Sequence, residues 1–464
     1  MNTPTTPGLD TQVFDVVGIG FGPANIALAI AAQELGSPLS LRFLERQPGP
    51  GWQEEMLLPE SDIQNHPLRD LVTPRNPRSR YTFVNFLFEQ GRLFEHLNLP
   101  LSHPLRLEYR QYVTWVAEQF SHQVDYGCNV AEVRPLIESG ALSGYEVVCT
   151  SGRVVRARAV VFGPGRTPHV PPVFETVADP RVVHLTRFAS AFQAVVDRVA
   201  APRVAVVGGS QTAVELLLHA SDRLSRGSLT VGVTRNFGFR LKDTSPFSDE
   251  VYFPGFVDTF FQASPQDKER LRRELVFTNY SAADRDVIDA LYVRLYRERL
   301  TGQQGLRVET LTEVSRVLPQ PSGIELELHH TVRRTRATES FDLVVLATGF
   351  KDLGVGPGKE PYPALISGVA GLVDLSSGAL GVELDYRVRF ADESRAQAAP
   401  LYLNGLCESS HGMGDAGSFS LLSLRSAAIV ESLQRRLLRR AAAPAGGRSA
   451  TATAGAAPAD PITA

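Results

Sequence analysis

The stretch Phe14-Asp15-Val16-Val17-Gly18-Ile19-Gly20-Phe21-Gly22-Pro23-Ala24-Asn25 is an apolar run that breaks into three glycines and a proline. A counterpart lies about 190 residues on, Val204-Ala205-Val206-Val207-Gly208-Gly209-Ser210-Gln211-Thr212-Ala213. Each reads as a strand, a tight turn and the start of a helix. Such a turn lets the backbone approach a pyrophosphate, and the helix behind it aims its N-terminal amides and dipole at that charge. One turn alone is weak evidence; two argue for a pair of dinucleotides held face to face, and so for redox chemistry. The strand beyond each turn separates the nucleotides. Leu41-Arg42-Phe43-Leu44 reads as a second strand ending in Glu45, 27 residues past Gly18. A carboxylate there accepts hydrogen bonds from the ribose of FAD or NAD. The strand Leu229 to Thr234 ends instead in Arg235, a cation suited to the 2′-phosphate of NADP. Gly18, Gly20, Gly22, Pro23 and Glu45 are therefore candidate FAD residues. Gly208, Gly209, Ser210, Gln211, Thr212 and Arg235 are candidates for NADPH, with Gln211 expected to face its pyrophosphate. Ser210 stands where a second glycine is usual, which predicts a looser second turn.

A chain of 464 residues, 43% apolar and 21% charged, has room for two or three domains with substantial cores. A net charge of −3 gives no reason to expect nucleic acid or an anionic membrane as partner, and no window is apolar enough to span a bilayer. A homo-oligomer is compatible with the sequence. Cys128, Cys149 and Cys407 are widely spaced and odd in number. They form no metal spacing and no disulfide framework, so small buried hydrophobes in a reducing cytoplasm are expected, with no metal site. The polar start, which lacks a secretory signal pattern, and the Ala/Gly/Pro/Thr-rich end suggest disordered residues 1–11 and 441–464.

The predicted fold class is α/β, with two Rossmann-like domains and a smaller substrate region built from insertions. An FAD-binding part spans 12–202 with an insertion at 48–104, and an NADPH-binding domain spans 203–329 with an insertion at 237–300. Residues 330–440 return to the FAD domain and close the active site, beginning with the apolar run Phe341 to Phe350. Helices are expected from Ala24 to Leu35, Leu107 to Phe120 and Ala283 to Leu300, from apolar residues at helical spacing.

Taken together these motifs resemble the flavin-dependent N-hydroxylating monooxygenases that act on ornithine and lysine. Gly18 to Asn25, with its Gly22-Pro23, is similar to that family's FAD turn, and Gly208 to Glu215 to its NADP turn. Asp70-Leu71-Val72-Thr73, Tyr81-Thr82-Phe83-Val84-Asn85, Thr278-Asn279-Tyr280-Ser281 and Ala347-Thr348-Gly349-Phe350 add to the likeness. The resemblance implies that NADPH reduces FAD and that a flavin hydroperoxide gives its distal oxygen to a neutral amine. It also implies that Asn279 contacts NADP and substrate, that Gln64 and Trp52 lie at the flavin ring, and that Thr348 and Gly349 line the cofactor site. A two-dinucleotide disulfide reductase would need a Cys pair beside the flavin, which no Cys-x-x-Cys supplies. A non-catalytic flavin binder is the remaining alternative.

Departures from the pattern bear on the substrate. Arg69 stands where those hydroxylases carry a lysine for the substrate α-carboxylate, and Asp249 where they carry an asparagine. A carboxylate cannot donate a hydrogen bond to a carboxylate, so ornithine in the family pose is disfavoured. After His411-Gly412 the chain shows an apparent insertion, Ala416 to Ser420, and then Arg425. With Arg294 this would give a second cation for a second carboxylate. The expected substrate is therefore a short acidic amino acid, L-aspartate oxidised through its hydroxylamine towards nitrosuccinate. Ornithine, lysine or a diamine hydroxylated for a hydroxamate siderophore is the alternative.

Overall fold

The computed structural model describes residues 9–415 and 417–441. Two parallel-cored sheets face each other through the carboxyl ends of their strands. In the first, Val124–Asp125, Leu41–Leu44, Leu9–Ile19, Val154–Phe162, Ala141–Cys149 and Val130–Glu138 lie side by side in that order. Leu401–Leu403 joins it, pairing in parallel with the C-terminal end of Val154–Phe162, beyond the point where Ala141–Cys149 has left that edge. The helix Pro23–Glu34 is buried over nearly its whole length, with Ile26, Leu28 and Ile30 fully inaccessible. A helix apolar all round must be covered on both sides. Here the sheet covers one side and the C-terminal helix Leu422–Ala441 the other.

The second sheet has the order Leu306–Glu309, Leu229–Val233, Arg203–Val207, Leu343–Leu346, Val182–His184, all parallel. The antiparallel meander Thr312–Gln320, Gly323–His330, Thr335–Phe341 packs on it through Ile324, Leu326 and Phe341 against Ala205, Val231 and Val344. The molecule is thus two Rossmann-like dinucleotide-binding domains.

The boundaries differ from expectation. Val182–His184, assigned to the first domain, and Leu343–Leu346, expected to lead back to it, both belong to the second sheet. An apolar strand ending in a glycine turn serves either sheet equally well, so its composition does not say which it joins. The chain rejoins the first sheet only at Leu401–Leu403. Residues 9–11 open the first strand and Ala441 closes the last helix; the remainder of the two ends expected to be disordered lies outside the described residues. Cys128 and Cys149 are another correction, because they form a disulfide. Val130 pairs with Cys149 across neighbouring strands, which brings the two cysteines to 6.1 Å between Cα atoms. Spacing along the chain carries no trace of that pairing. Among the described residues no helix is long and apolar enough to cross a membrane, and no His/Cys/Asp/Glu group could hold a metal.

Candidate active site

A cleft of about 2080 Å³ runs between the two sheets and takes in both glycine turns and both insertions. In the first turn each glycine has its own reason. A Cβ on Gly18 would sit 2.4 Å from the Phe43 ring. Gly20 has φ +80° and lies against the Gly163 carbonyl, while Gly22 opens into free space. Pro23 starts the helix, where its missing N–H costs nothing. Asn25, buried behind the turn, donates to the carbonyls of Ile19 (3.1 Å) and Gly20 (2.7 Å) and accepts from Asn404 (3.1 Å). Glu45 accepts from the N–H groups of Phe21 (2.7 Å) and Gln47 (2.8 Å). A carboxylate has further lone pairs that could take ribose hydroxyls.

The second turn is built differently. Gly208 is forced by the Ala347 carbonyl, 2.3 Å from where a Cβ would lie, and Gly209 by the Thr234 hydroxyl at 2.7 Å. Ser210 is extended at φ −117° and caps the helix Gln211–Arg223, so no glycine is required there and the expected looseness has no basis. Gln211 borders the cleft, but its polar groups are engaged within the protein and not free for a pyrophosphate as expected. Its N–H donates to the Ala282 carbonyl (2.9 Å), and its side chain accepts from the Asp284 N–H (2.8 Å) and donates to Glu215 (3.1 Å). Glu215 in turn is paired in the interior with Arg106, whose guanidinium also donates to the Met56 and Asp62 carbonyls. Gln64, in the left-handed region at φ 50°, donates to Asp284 from the other domain. This chain of polar contacts ties the first insertion to the second glycine turn.

Arg235 is exposed at the cleft and has no acidic partner among the described residues. Lys351 lines the same region. Burial, then the charges of Lys351 and Arg235, hold the His169 imidazole below its ordinary range, so this corner is electropositive. Thr212, Thr348 and Gly349 also line the cleft, with the Thr348 hydroxyl on the His169 carbonyl.

On the far side stand residues from the insertions. Asp70 is fully buried and accepts from the N–H groups of Val72, Thr73 and Phe83, which fixes the loop that presents Arg69. The Arg69 guanidinium lies 5.7 Å from the Tyr252 ring centre. Burial, then Asp249 and Glu408, push the Tyr252 phenol up, while Arg69 pulls it down, so charges of both signs act on one ring. Arg69 and Asp249 are not joined to each other among the described residues. Asn279 lines the cleft, with no side-chain partner among the described residues. Trp52 meets Phe419 edge-on at 5.4 Å and Tyr109 at 6.0 Å, so the segment after residue 416 reaches the wall of the cleft.

Two expected substrate contacts are elsewhere. Arg294 lies outside the cleft, on the back of the helix Arg285–Thr301, paired with Asp222 and Glu298. Helical spacing turned it towards the neighbouring helix, not the substrate. Arg425 does border the cleft but is buried, engaged by Asp415 (2.8 Å) and the Asn404 side chain (2.8 Å). Its charge is neutralised inside the first domain and is not free for a second carboxylate. Sequence reasoning missed Asn25, Asn404 and Tyr252; only Asn25, inside the quoted turn, carried a local signal.

Residues 12–352 match the L-lysine 6-monooxygenase/L-ornithine 5-monooxygenase family. An L-ornithine N(5)-monooxygenase from Pseudomonas aeruginosa is 33% identical, over 92% of this chain and 94% of that protein. Among solved structures, the reduced ornithine hydroxylase of the same organism superposes with a TM-score of 0.84 at 32% identity, covering 92% of this chain and all of that one. An ornithine N-hydroxylase from Kutzneria sp. 744, with reduced FAD, NADP+ and L-ornithine, gives 0.83 at 31% identity, covering 92% of this chain and all of that one.

Proposed function

The chain belongs to the L-lysine 6-monooxygenase/L-ornithine 5-monooxygenase family, and on that premise we propose that it hydroxylates the side-chain amine of L-ornithine, or of its homologue L-lysine. It is an NADPH-dependent flavin monooxygenase, with FAD and NADPH as cofactors and N-hydroxylation as its chemistry. The residues present suit both groups: Gly22 leaves open room at the first helix N-terminus, and Arg235 offers a cation at the cleft beyond the second turn. Bound FAD, reduced by NADPH, supplies the activated oxygen; the chain's own residues bind, orient and exclude water.

One observation carries the substrate class: Arg69 and Asp249 both line the cleft beside Tyr252 and act on its phenol with opposite sign. That is the complement of a zwitterionic amino-acid head. Arg69 takes the α-carboxylate through its planar fork, and Asp249 takes the α-ammonium. Asn279, with its amide free, holds the distal amine and the nicotinamide together, and the Gln64 carbonyl and Trp52 bound the ring site. An alkyl amine has a pKa of about 10, so the site must favour its neutral form, which desolvation between Trp52, Phe419 and Tyr252 promotes. Aspartate is the weaker reading, since Arg294 and Arg425 are both engaged and a second carboxylate would lack a cation. The comparisons support the ornithine and lysine reading over aspartate and nitro-group formation. The product would be of the kind built into hydroxamate siderophores.

The test is NADPH and oxygen consumption across ornithine, lysine, cadaverine and aspartate, with products identified by mass under labelled dioxygen. Label is expected on the side-chain nitrogen of ornithine or lysine. Efficient turnover of aspartate with ornithine ignored would sink the substrate claim, and label on carbon would sink the reaction type.

A further inference from the structure

Asn279 has no side-chain partner among the described residues, yet both of its neighbours are tied down. The Thr278 carbonyl accepts from the Tyr252 hydroxyl (3.2 Å), within the 3-10 turn Val276–Thr278. On the other side the Tyr280 hydroxyl donates to the carboxyl of Glu408 and accepts from Arg166 (3.0 Å). Glu408 is buried at 6% exposure, opens the short helix Glu408–His411, and is not part of the cleft lining. Four distant segments therefore meet here: the exit turn of the first domain (Arg166), the second insertion (Tyr280), the segment after the second sheet (Asp352, paired with Arg166) and the returning chain (Glu408). A buried carboxyl that serves only as a core residue would be costly without such partners.

We propose that Glu408 is a positioning residue for the hydroxylation step: through the Tyr280 hydroxyl it fixes the loop that carries Asn279. This rests on the N-hydroxylase reading above. The groups that face Glu408 are Tyr280, Arg166, Asp352, Tyr252 and, from the helix Pro265–Leu275, Arg272, which also donates to the Ser409 carbonyl (2.6 Å). Burial, then Asp352, pushes the Glu408 carboxyl up to about 8, against Arg166, Tyr280 and Arg272. The carboxyl is therefore neutral at pH 7, with Arg166 and Asp352 balancing each other. Above about 8 it ionises beside Asp352, and the Tyr280 hydroxyl then donates to a carboxylate, the stronger acceptor.

The experiment compares wild type, Glu408→Gln and Glu408→Ala as FAD-loaded enzymes between pH 6.5 and 9.5. It reads amine KM, hydroxylated product per NADPH consumed, hydrogen peroxide released, and flavin reduction rate in the absence of amine. Glu408→Ala should raise the amine KM about tenfold and divert oxygen to peroxide, with flavin reduction within about twofold of wild type. Glu408→Gln keeps an acceptor for Tyr280 but cannot ionise. It should couple like wild type at pH 7, where the Glu408 carboxyl is neutral, and show no change in coupling through pH 8. An alanine variant with wild-type KM and coupling overturns the proposal, as does a glutamine variant as uncoupled at pH 7 as the alanine one. If the variants lose FAD or flavin reduction in step with coupling, Glu408 supports the fold and not the Asn279 loop, and the proposal fails. If wild type hydroxylates no amine, the functional reading itself falls, and this inference with it.

Discussion

The two glycine turns look alike in sequence and are held by different means. In each, one close approach comes from just beyond a neighbouring parallel strand: the Gly163 carbonyl against Gly20, the Ala347 carbonyl against Gly208. The first turn then needs positive φ at Gly20, whereas the second stays in extended backbone, with Ser210 as an ordinary cap. The first is closed from within, by Asn25 and Glu45. The second is tied to the opposite domain through Gln211, Glu215, Arg106 and Gln64. One turn can thus form with its own domain, while the other depends on how the two domains meet.

Substitutions can break this contrast. The largest effect belongs to Gly20→Ala. A side chain at φ +80°, 2.8 Å from the Gly163 carbonyl, combines backbone strain of roughly 1–3 kcal/mol with a clash against main chain. The purified variant should be colourless, while Ser210→Gly should keep its FAD and stay within about twofold in NADPH KM. A yellow Gly20→Ala protein with normal flavin content would show that the first turn does not depend on a glycine at positive φ. Next comes Arg235→Ala. Loss of a charged hydrogen bond, about 1.5–3 kcal/mol, should raise the NADPH KM ten- to hundredfold and leave NADH nearly unchanged. Equal losses for both cofactors would remove Arg235 from the 2′-phosphate.

Smaller effects are expected where the substrate side meets the cofactor side. Arg69→Lys keeps the charge and loses the fork, so the amine KM should rise about five- to tenfold with flavin reduction intact. A variant that slowed flavin reduction instead would place Arg69 with the cofactor. The smallest is Arg294→Ala, which removes ion pairs to Asp222 and Glu298 outside the cleft and should leave every kinetic constant within about twofold. A large rise in amine KM there would restore Arg294 to the substrate site.

The cofactor half was legible because it is written in backbone chemistry. Glycines, a proline and the residue ending the next strand are local signals, and they lie within a few residues of what they serve. The turn at Gly18 to Asn25, the helix behind it and the strand ends at Glu45 and Arg235 all follow from that. The substrate half was not legible in the same way. Arg69, Asp249, Arg294 and Arg425 are four charged residues that sequence weighs alike. Whether each faces a cleft, a neighbouring helix or a buried partner depends on contacts that packing makes and no local pattern announces. Arg425 meets Asp415 and Asn404, and Arg294 meets Asp222. The membership of Leu343–Leu346 in the second sheet, the Cys128–Cys149 pairing and the meeting of Glu408 with Tyr280 are of the same kind. By itself the sequence determined two nucleotide-binding turns, their order and the family. Only the tertiary structure decided which charges remain free at the cleft, because a side chain's charge is available for chemistry only where no packed neighbour neutralises it.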